Sequence, residues 1–196
     1  MKKLFLCLLT TFSISLLSAQ DKPEGLFINS KAPDFKSKDQ NDKDVSLREL
    51  RKKGPVVIVF YRGNWCPYCN RQLQQLQDSL QLIKQKGAQL VAITPELQDG
   101  IQKTIEKTKA SFPILHDEDL KIMKAYDVAF QVDERSMGRY KNAGIDLAAI
   151  NDKKNANYLP VPAVYIVNKD GTITYRFFDS DYKKRVTVKE ILYNLK

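Results

Sequence analysis

The sequence predicts an α/β domain with a central mixed sheet flanked by helices, and three features carry that prediction. Apolar, β-branched runs alternate with amphipathic helical patterns from about residue 55 to residue 126, as in parallel βαβ units. Asn168-Lys-Asp-Gly171 then separates two further strand-like runs and marks an antiparallel hairpin. Finally, a cysteine pair stands where the first buried run gives way to a long helix.

Taken in order, Asp21 to Gly54 is polar and turn-rich, with short extended pieces around Phe35 and Val45. Ser46-Leu-Arg-Glu49 reads as a capping box opening a brief helix. Pro55-Val-Val-Ile-Val-Phe-Tyr61 is unbroken and apolar, the pattern of a strand buried on both faces. In the helix that follows, Leu73, Leu76, Leu80 and Ile83 form one apolar stripe, with Gly87 as its stop. A strand over Gln89 to Thr94, a helix over Gln98 to Lys109, a strand over Phe112 to Leu115 and a helix over Asp119 to Tyr126 continue the alternation. The segment from Ala129 to Leu159 is too long for a plain connection and reads as an insertion with some helix over one sheet edge. Strands over Ala163 to Val167 and Thr172 to Phe177 form the hairpin. Thr187-Val-Lys-Glu190 caps a last helix that packs Ile191 and Leu195.

The first nineteen residues stand apart from this domain. Lys2 and Lys3 precede an uncharged apolar stretch from Leu4 to Leu17, and Ser18 and Ala19 supply the small residues of a cleavage site. That is the pattern of a secretory signal peptide, so residues 1–19 are expected to be removed and 20–196 to form the domain. Fourteen apolar residues are short for a bilayer span, and no stable membrane anchor is expected. The expected location is the periplasm.

The net charge is +9, or +7 without Lys2 and Lys3, and basic residues are scattered among acids rather than gathered into a stripe. Nucleic acid is not an expected partner.

Of the three cysteines, Cys7 leaves with the signal peptide, and Cys66 and Cys69 remain. A bridge across three positions closes almost no loop, so its value lies in chemistry rather than in stability. On a helix this spacing puts both sulfurs on one side, close enough to bond. Cys66 faces the free N–H groups and positive end of the helix, which favours its thiolate, and Cys69 lies one turn deeper. Cys66 is therefore the expected nucleophile and Cys69 the resolving thiol. Pro67 suits the first helical turn. Zinc would lack ligands, since no second cysteine pair exists and the one histidine, His116, is distant. No metal and no cofactor are expected. His116 is read as a surface or capping residue, and Trp65 as either a packing residue or part of a docking surface.

The chain resembles the thioredoxin superfamily, specifically its alkyl hydroperoxide reductase/thiol-specific antioxidant (AhpC/TSA), peroxiredoxin-like branch. The resemblance rests on Ala32-Pro-Asp-Phe35, Phe60-Tyr-Arg-Gly-Asn-Trp-Cys-Pro-Tyr-Cys-Asn70, Val161-Pro-Ala-Val-Tyr165 and Asp179-Ser-Asp-Tyr-Lys-Lys-Arg185. It implies a thioredoxin-like fold, a cis Pro162 beside the cysteines, and a backbone role for Val161 in pairing with substrate. Trp65, Pro67, Tyr68, Arg62, Val161 and Pro162 are the implied substrate-binding residues. Two departures stand out. Counting back from Cys69, Arg62 occupies the place of the peroxiredoxin proline and Cys66 that of its threonine. Phe60 stands where thioredoxins carry a buried acid. Arg62 either lowers a cysteine pKa or lies on the surface.

These features lead to a secreted thiol–disulfide oxidoreductase working on protein or small-molecule disulfides with an unidentified thiol reductant or oxidant. The alternatives are a thiol-dependent peroxidase that reduces hydroperoxides with the same pair, and a non-catalytic binding module on the same scaffold.

Overall fold

The computed structural model describes residues 22–195, so the expected signal peptide with Cys7 lies outside the described residues. A five-stranded mixed sheet forms the centre. It comprises β3 (Val56–Phe60), β4 (Gln89–Thr94), β5 (Ile114–His116), β8 (Ala163–Val167) and β9 (Ile173–Phe178), in the order β5-β4-β3-β8-β9. β3, β4 and β5 run parallel, while β8 is antiparallel to both β3 and β9. The hairpin between β8 and β9 closes at Gly171, whose φ of 88° suits a residue without a side chain.

Strand alternation sends each half of β3 to a different layer. Val57, Val59 and Tyr61 face α2 (Pro67–Asp78), α4 (Gln98–Thr108) and α8 (Val188–Asn194). Val56, Ile58 and Phe60 face α1 (Leu47–Lys53) and α5 (Lys121–Ala125). Every residue of β3 is fully buried, as its unbroken apolar run requires. At the start of the domain, β1 (Lys36–Lys38) and β2 (Asp44–Ser46) pair antiparallel. Both helix N-caps form: Ser46 Oγ accepts from Glu49 N at 3.2 Å, and Thr187 Oγ from Glu190 N at 3.2 Å, while the glutamate side chains turn to Lys52 and Tyr175. Among the described residues no helix is long and apolar enough to cross a membrane.

Three expectations change. The long helix breaks at Ser79, where ψ opens to 8°, so that α3 (Leu80–Gln85) carries the end of the stripe. Leu80 and Ile83 are nonetheless buried, because the break bends the stripe without turning it away from the sheet. The insertion holds strand as well as helix. It forms a short antiparallel pair, β6 (Ala129–Gln131) with β7 (Tyr158–Pro160), and two helices between them, α6 (Glu134–Asn142) and α7 (Leu147–Asn151). This unit has its own small core of Val132, Leu147 and Leu159, against which Trp65 also packs, and that contact draws it over the cysteines. The third change is at Pro162. No peptide bond among the described residues is cis, so the Val161–Pro162 bond is trans. Val161 and Pro162 link β7 to β8 there, and Val161 N–H donates to Val128 O at 2.8 Å. Trans is the favoured isomer of an ordinary X–Pro bond.

Candidate active site

The end of β3 and the start of α2 together place the two sulfurs. Gly63-Asn-Trp65 makes the turn, with Cys66 N–H donating to Gly63 O at 3.0 Å, and Cys66 becomes the N-cap of α2 with extended backbone. Pro67 occupies the first helical position and is exposed. Cys69 follows one turn in, fully buried, while Cys66 is 1% exposed and is the less deeply set of the two. The thiols are unbridged and joined by a hydrogen bond from Cys66 to Cys69.

A distant residue completes the pair. Arg185, in the loop between β9 and α8, brings Nη2 to 3.2 Å from Cys69 Sγ. Burial pushes the Cys69 thiol up, but the Cys66 hydrogen bond, the Arg185 charge and a backbone N–H at Arg62 outweigh it and bring Cys69 down to about 6. The same hydrogen bond to Cys69 pushes the Cys66 thiol well up, with burial and the neighbouring sulfur's charge adding to it. The structure thus distributes the charge opposite to the sequence expectation. At the helix end, Cys66 does accept from the Cys69 N–H. That weak dipolar gain is outweighed by the hydrogen bond from Cys66, which favours the charge on Cys69, and by the Arg185 guanidinium.

Above the pair lies a cover built on Arg62. Its side chain is 3% exposed, with the guanidinium 4.7 Å from the Trp65 ring centre, 4.5 Å from Tyr182 and 5.6 Å from Tyr140. Arg62 Nη2 also donates to the Tyr140 hydroxyl. Trp65 and Tyr140 pack at 5.2 Å, and Tyr68 meets Tyr182 edge-on at 5.9 Å. Several donors in this layer, Arg62 Nε, Trp65 Nε1 and Arg185 Nε, are buried without a hydrogen-bond partner. Among the described residues no cluster of three His, Cys, Asp or Glu side chains could hold a metal ion.

With that geometry in place, comparison with known proteins is decisive at the level of family. The AhpC/TSA family matches residues 28–176, three quarters of the chain. The chain belongs to the AhpC/TSA family. Chloroplastic peroxiredoxin Q of Sedum lineare is 34% identical over 99 residues, covering 50% of this chain and 53% of that protein. The thiol-disulfide oxidoreductase ResA of Bacillus subtilis is 28% identical over 107 residues, covering 54% of this chain and 59% of that one. The chain therefore spans little more than half the length of these curated relatives. Peroxidoxin BcpB from Mycobacterium tuberculosis superposes with a TM-score of 0.66 at 16% identity, over 86% of this chain and 95% of that one, which establishes the thioredoxin-like fold.

On this AhpC/TSA scaffold, Arg62, Trp65, Tyr68, Cys66 and Cys69 come together around one point. Val161 and Pro162 are buried beside β6, and Val161 spends its N–H on Val128. His116 Nδ1 lies 2.8 Å from the Glu96 carbonyl and takes no part in the pair. Sequence reasoning missed the roles of Arg185, Tyr140 and Tyr182. Arg185 lies 116 positions from Cys69, and no spacing rule links them.

Proposed function

We propose that this protein is a secreted thiol–disulfide oxidoreductase whose Cys66–Cys69 disulfide accepts electrons from a partner thiol. The observation that carries this reading is the Arg185 guanidinium 3.2 Å from Cys69 Sγ, on a sulfur already hydrogen-bonded by Cys66. A partner thiolate attacks Cys66 Sγ, the less deeply buried sulfur, and the Cys66–Cys69 bond breaks. Cys69 leaves as a thiolate onto Arg185, and a low-pKa thiol leaves faster. A second partner thiolate then attacks the partner sulfur of the mixed disulfide. Cys66 departs, takes a proton, and the partner's two thiols end as a disulfide. Stabilising the reduced form in this way makes the couple a better oxidant. Because Arg62 and its aromatic neighbours cover Cys66, the partner must present its thiol on a slim chain.

A second reading has its own support. The unpartnered buried donors Arg185 Nε, Trp65 Nε1 and Arg62 Nε stand near the sulfurs, where charge would develop on the oxygens of a hydroperoxide. In that case the Cys69 thiolate attacks the peroxide and becomes a sulfenic acid while an alcohol leaves. Cys66 then condenses with it and expels water.

The test is stopped-flow oxidation of the reduced protein by a small disulfide, by hydrogen peroxide and by an organic hydroperoxide. Disulfide exchange is expected to be the faster reaction. A peroxide reacting orders of magnitude faster than a free thiolate would replace the first reading with the second. For secretion, the expected outcome is a mature chain beginning at Gln20, read by intact mass of exported protein. A membrane-bound chain still starting at Met1 would exclude it.

A further inference from the structure

The carboxylate of Glu96 has no part in the chemistry above, yet it is housed with unusual care. It lies two residues past β4 and is fully buried. Oε1 accepts from Asn64 N at 2.7 Å and from Asn64 Nδ2 at 2.6 Å, and Oε2 accepts from Thr104 Oγ at 3.2 Å. All of these donors are neutral, so the charge is solvated by dipoles alone. Two glycines make the room: a Cβ on Gly63 would stand 2.8 Å from Oε1, and one on Gly100 would stand 2.9 Å from it. Asn64 is held from its other side, its carbonyl accepting from Asn70 Nδ2 at 2.8 Å and Lys107 Nζ at 2.9 Å. Asn64 is the middle residue of the turn that delivers Cys66. A burial cost on this scale is accepted only where something compensates for it, and the partners of Glu96 lie on that turn.

We propose that Glu96 is a positioning residue for the dithiol: its carboxylate fixes the Gly63–Trp65 turn, and its negative charge opposes a thiolate on the sulfur pair. The positioning half follows from the two bonds to Asn64. The charge half follows from Tyr61, whose ring packs in the same buried cluster as Cys66 and Cys69 and whose hydroxyl is linked to the Glu96 carboxylate through Thr104. Tyr61 OH donates to Thr104 Oγ at 3.4 Å, so the same hydroxyl chain reaches Glu96. The other titratable groups around Glu96 are Lys107 on α4, held on Asn64, and His116 on β5, held on the Glu96 carbonyl. Burial pushes the Glu96 carboxyl up, and its hydrogen bonds oppose that shift. Like charges in a site of low dielectric resist simultaneous ionisation, so an ionised Glu96 holds back Cys69 while Arg185 draws it forward.

The inference rests on the dithiol reading, but its test does not need a substrate. Thiolate absorbance near 240 nm is followed against pH in the reduced wild type, Glu96→Gln and Glu96→Ala. Glutamine keeps an acceptor for Asn64 and loses the charge. The thiolate midpoint of Glu96→Gln is expected to fall by about half a pH unit or more, as removal of a buried like charge requires. Reaction with a small aromatic disulfide, at a pH where the thiolate is fully formed, separates the positioning role. Glu96→Ala is expected to lose about tenfold or more, and Glu96→Gln to stay within about threefold of wild type. A midpoint in Glu96→Gln equal to that of wild type overturns the inference, and so does a rate loss in Glu96→Gln as large as in alanine. A purely structural glutamate would leave the midpoint in place. Failure of the dithiol reading shows up separately, as absence of a Cys66–Cys69 disulfide in peptide mapping of the oxidised protein.

Discussion

Cys66→Ser lowers disulfide turnover by at least about three orders of magnitude, the scale on which an enzyme feels the loss of the group that bonds to its partner. Cys69→Ser behaves differently: it retains the sulfur that a partner reaches and accumulates a stable mixed disulfide at Cys66. The difference follows from depth. Cys66 sits at the helix end under Arg62, whereas Cys69 is fully buried one turn further in, against Arg185. Non-reducing gels and mass mapping of each variant after incubation with a model disulfide decide the matter. Accumulation in Cys66→Ser instead would make Cys69 the sulfur that meets the partner. A sulfenic acid trapped at Cys69 in that same variant after peroxide treatment would favour the hydroperoxide reading.

Replacing Arg185 acts on ionisation. In Arg185→Ala the Cys69 midpoint is expected to move up from about 6 by about 1–3 pH units, the shift that an opposite charge at this range sustains. Arg185→Lys recovers part of it, since lysine restores a point charge without the planar fork. The sign is opposite to that expected at Glu96, so the two titrations check one another. Stability carries the same signature. Cys69 is lowered on folding, so its contribution to the reduced protein is fully present above the ordinary thiol value near 9 and is lost as pH falls through about 6. Cys66, raised on folding, contributes throughout that window and loses its share only at higher pH. Melting temperature of the reduced protein therefore rises from pH 6 to 9 relative to Cys69→Ser, and Arg185→Ala flattens that rise. Parallel curves for wild type and Arg185→Ala would exclude the arginine as the cause.

What the sequence revealed follows the range of the interactions involved. The βαβ alternation, the hairpin at Gly171 and the caps at Ser46 and Thr187 depend on neighbours a few positions apart, and all were legible. The position of both sulfurs at a helix start was legible for the same reason. The charge balance between them was not, because it turns on the direction of the Cys66–Cys69 hydrogen bond and on Arg185, which arrives from 116 positions away. The cover was hidden likewise: Tyr140 and Tyr182 meet Arg62 only after the insertion and the C-terminal loop fold back over α2. Glu96 escaped because a single glutamate after a strand ordinarily lies on the surface. Only two glycines, 37 positions apart in the chain, make room for it inside.

Trp65 has a consequence of a different kind. It is the chain's only tryptophan, it immediately precedes Cys66, and it packs under the Arg62 cation and against a tilted Tyr140 ring. Its indole thus reports on one place only, the junction between the sulfurs and their cover. Nearby disulfides and cations quench indole emission, so the protein carries its own optical sensor. Opening of the cover and a change of redox state would each alter the emission without an attached dye. The signal needs no correction for other tryptophans, so any rearrangement of these aromatic rings about the arginine is observable in a cuvette.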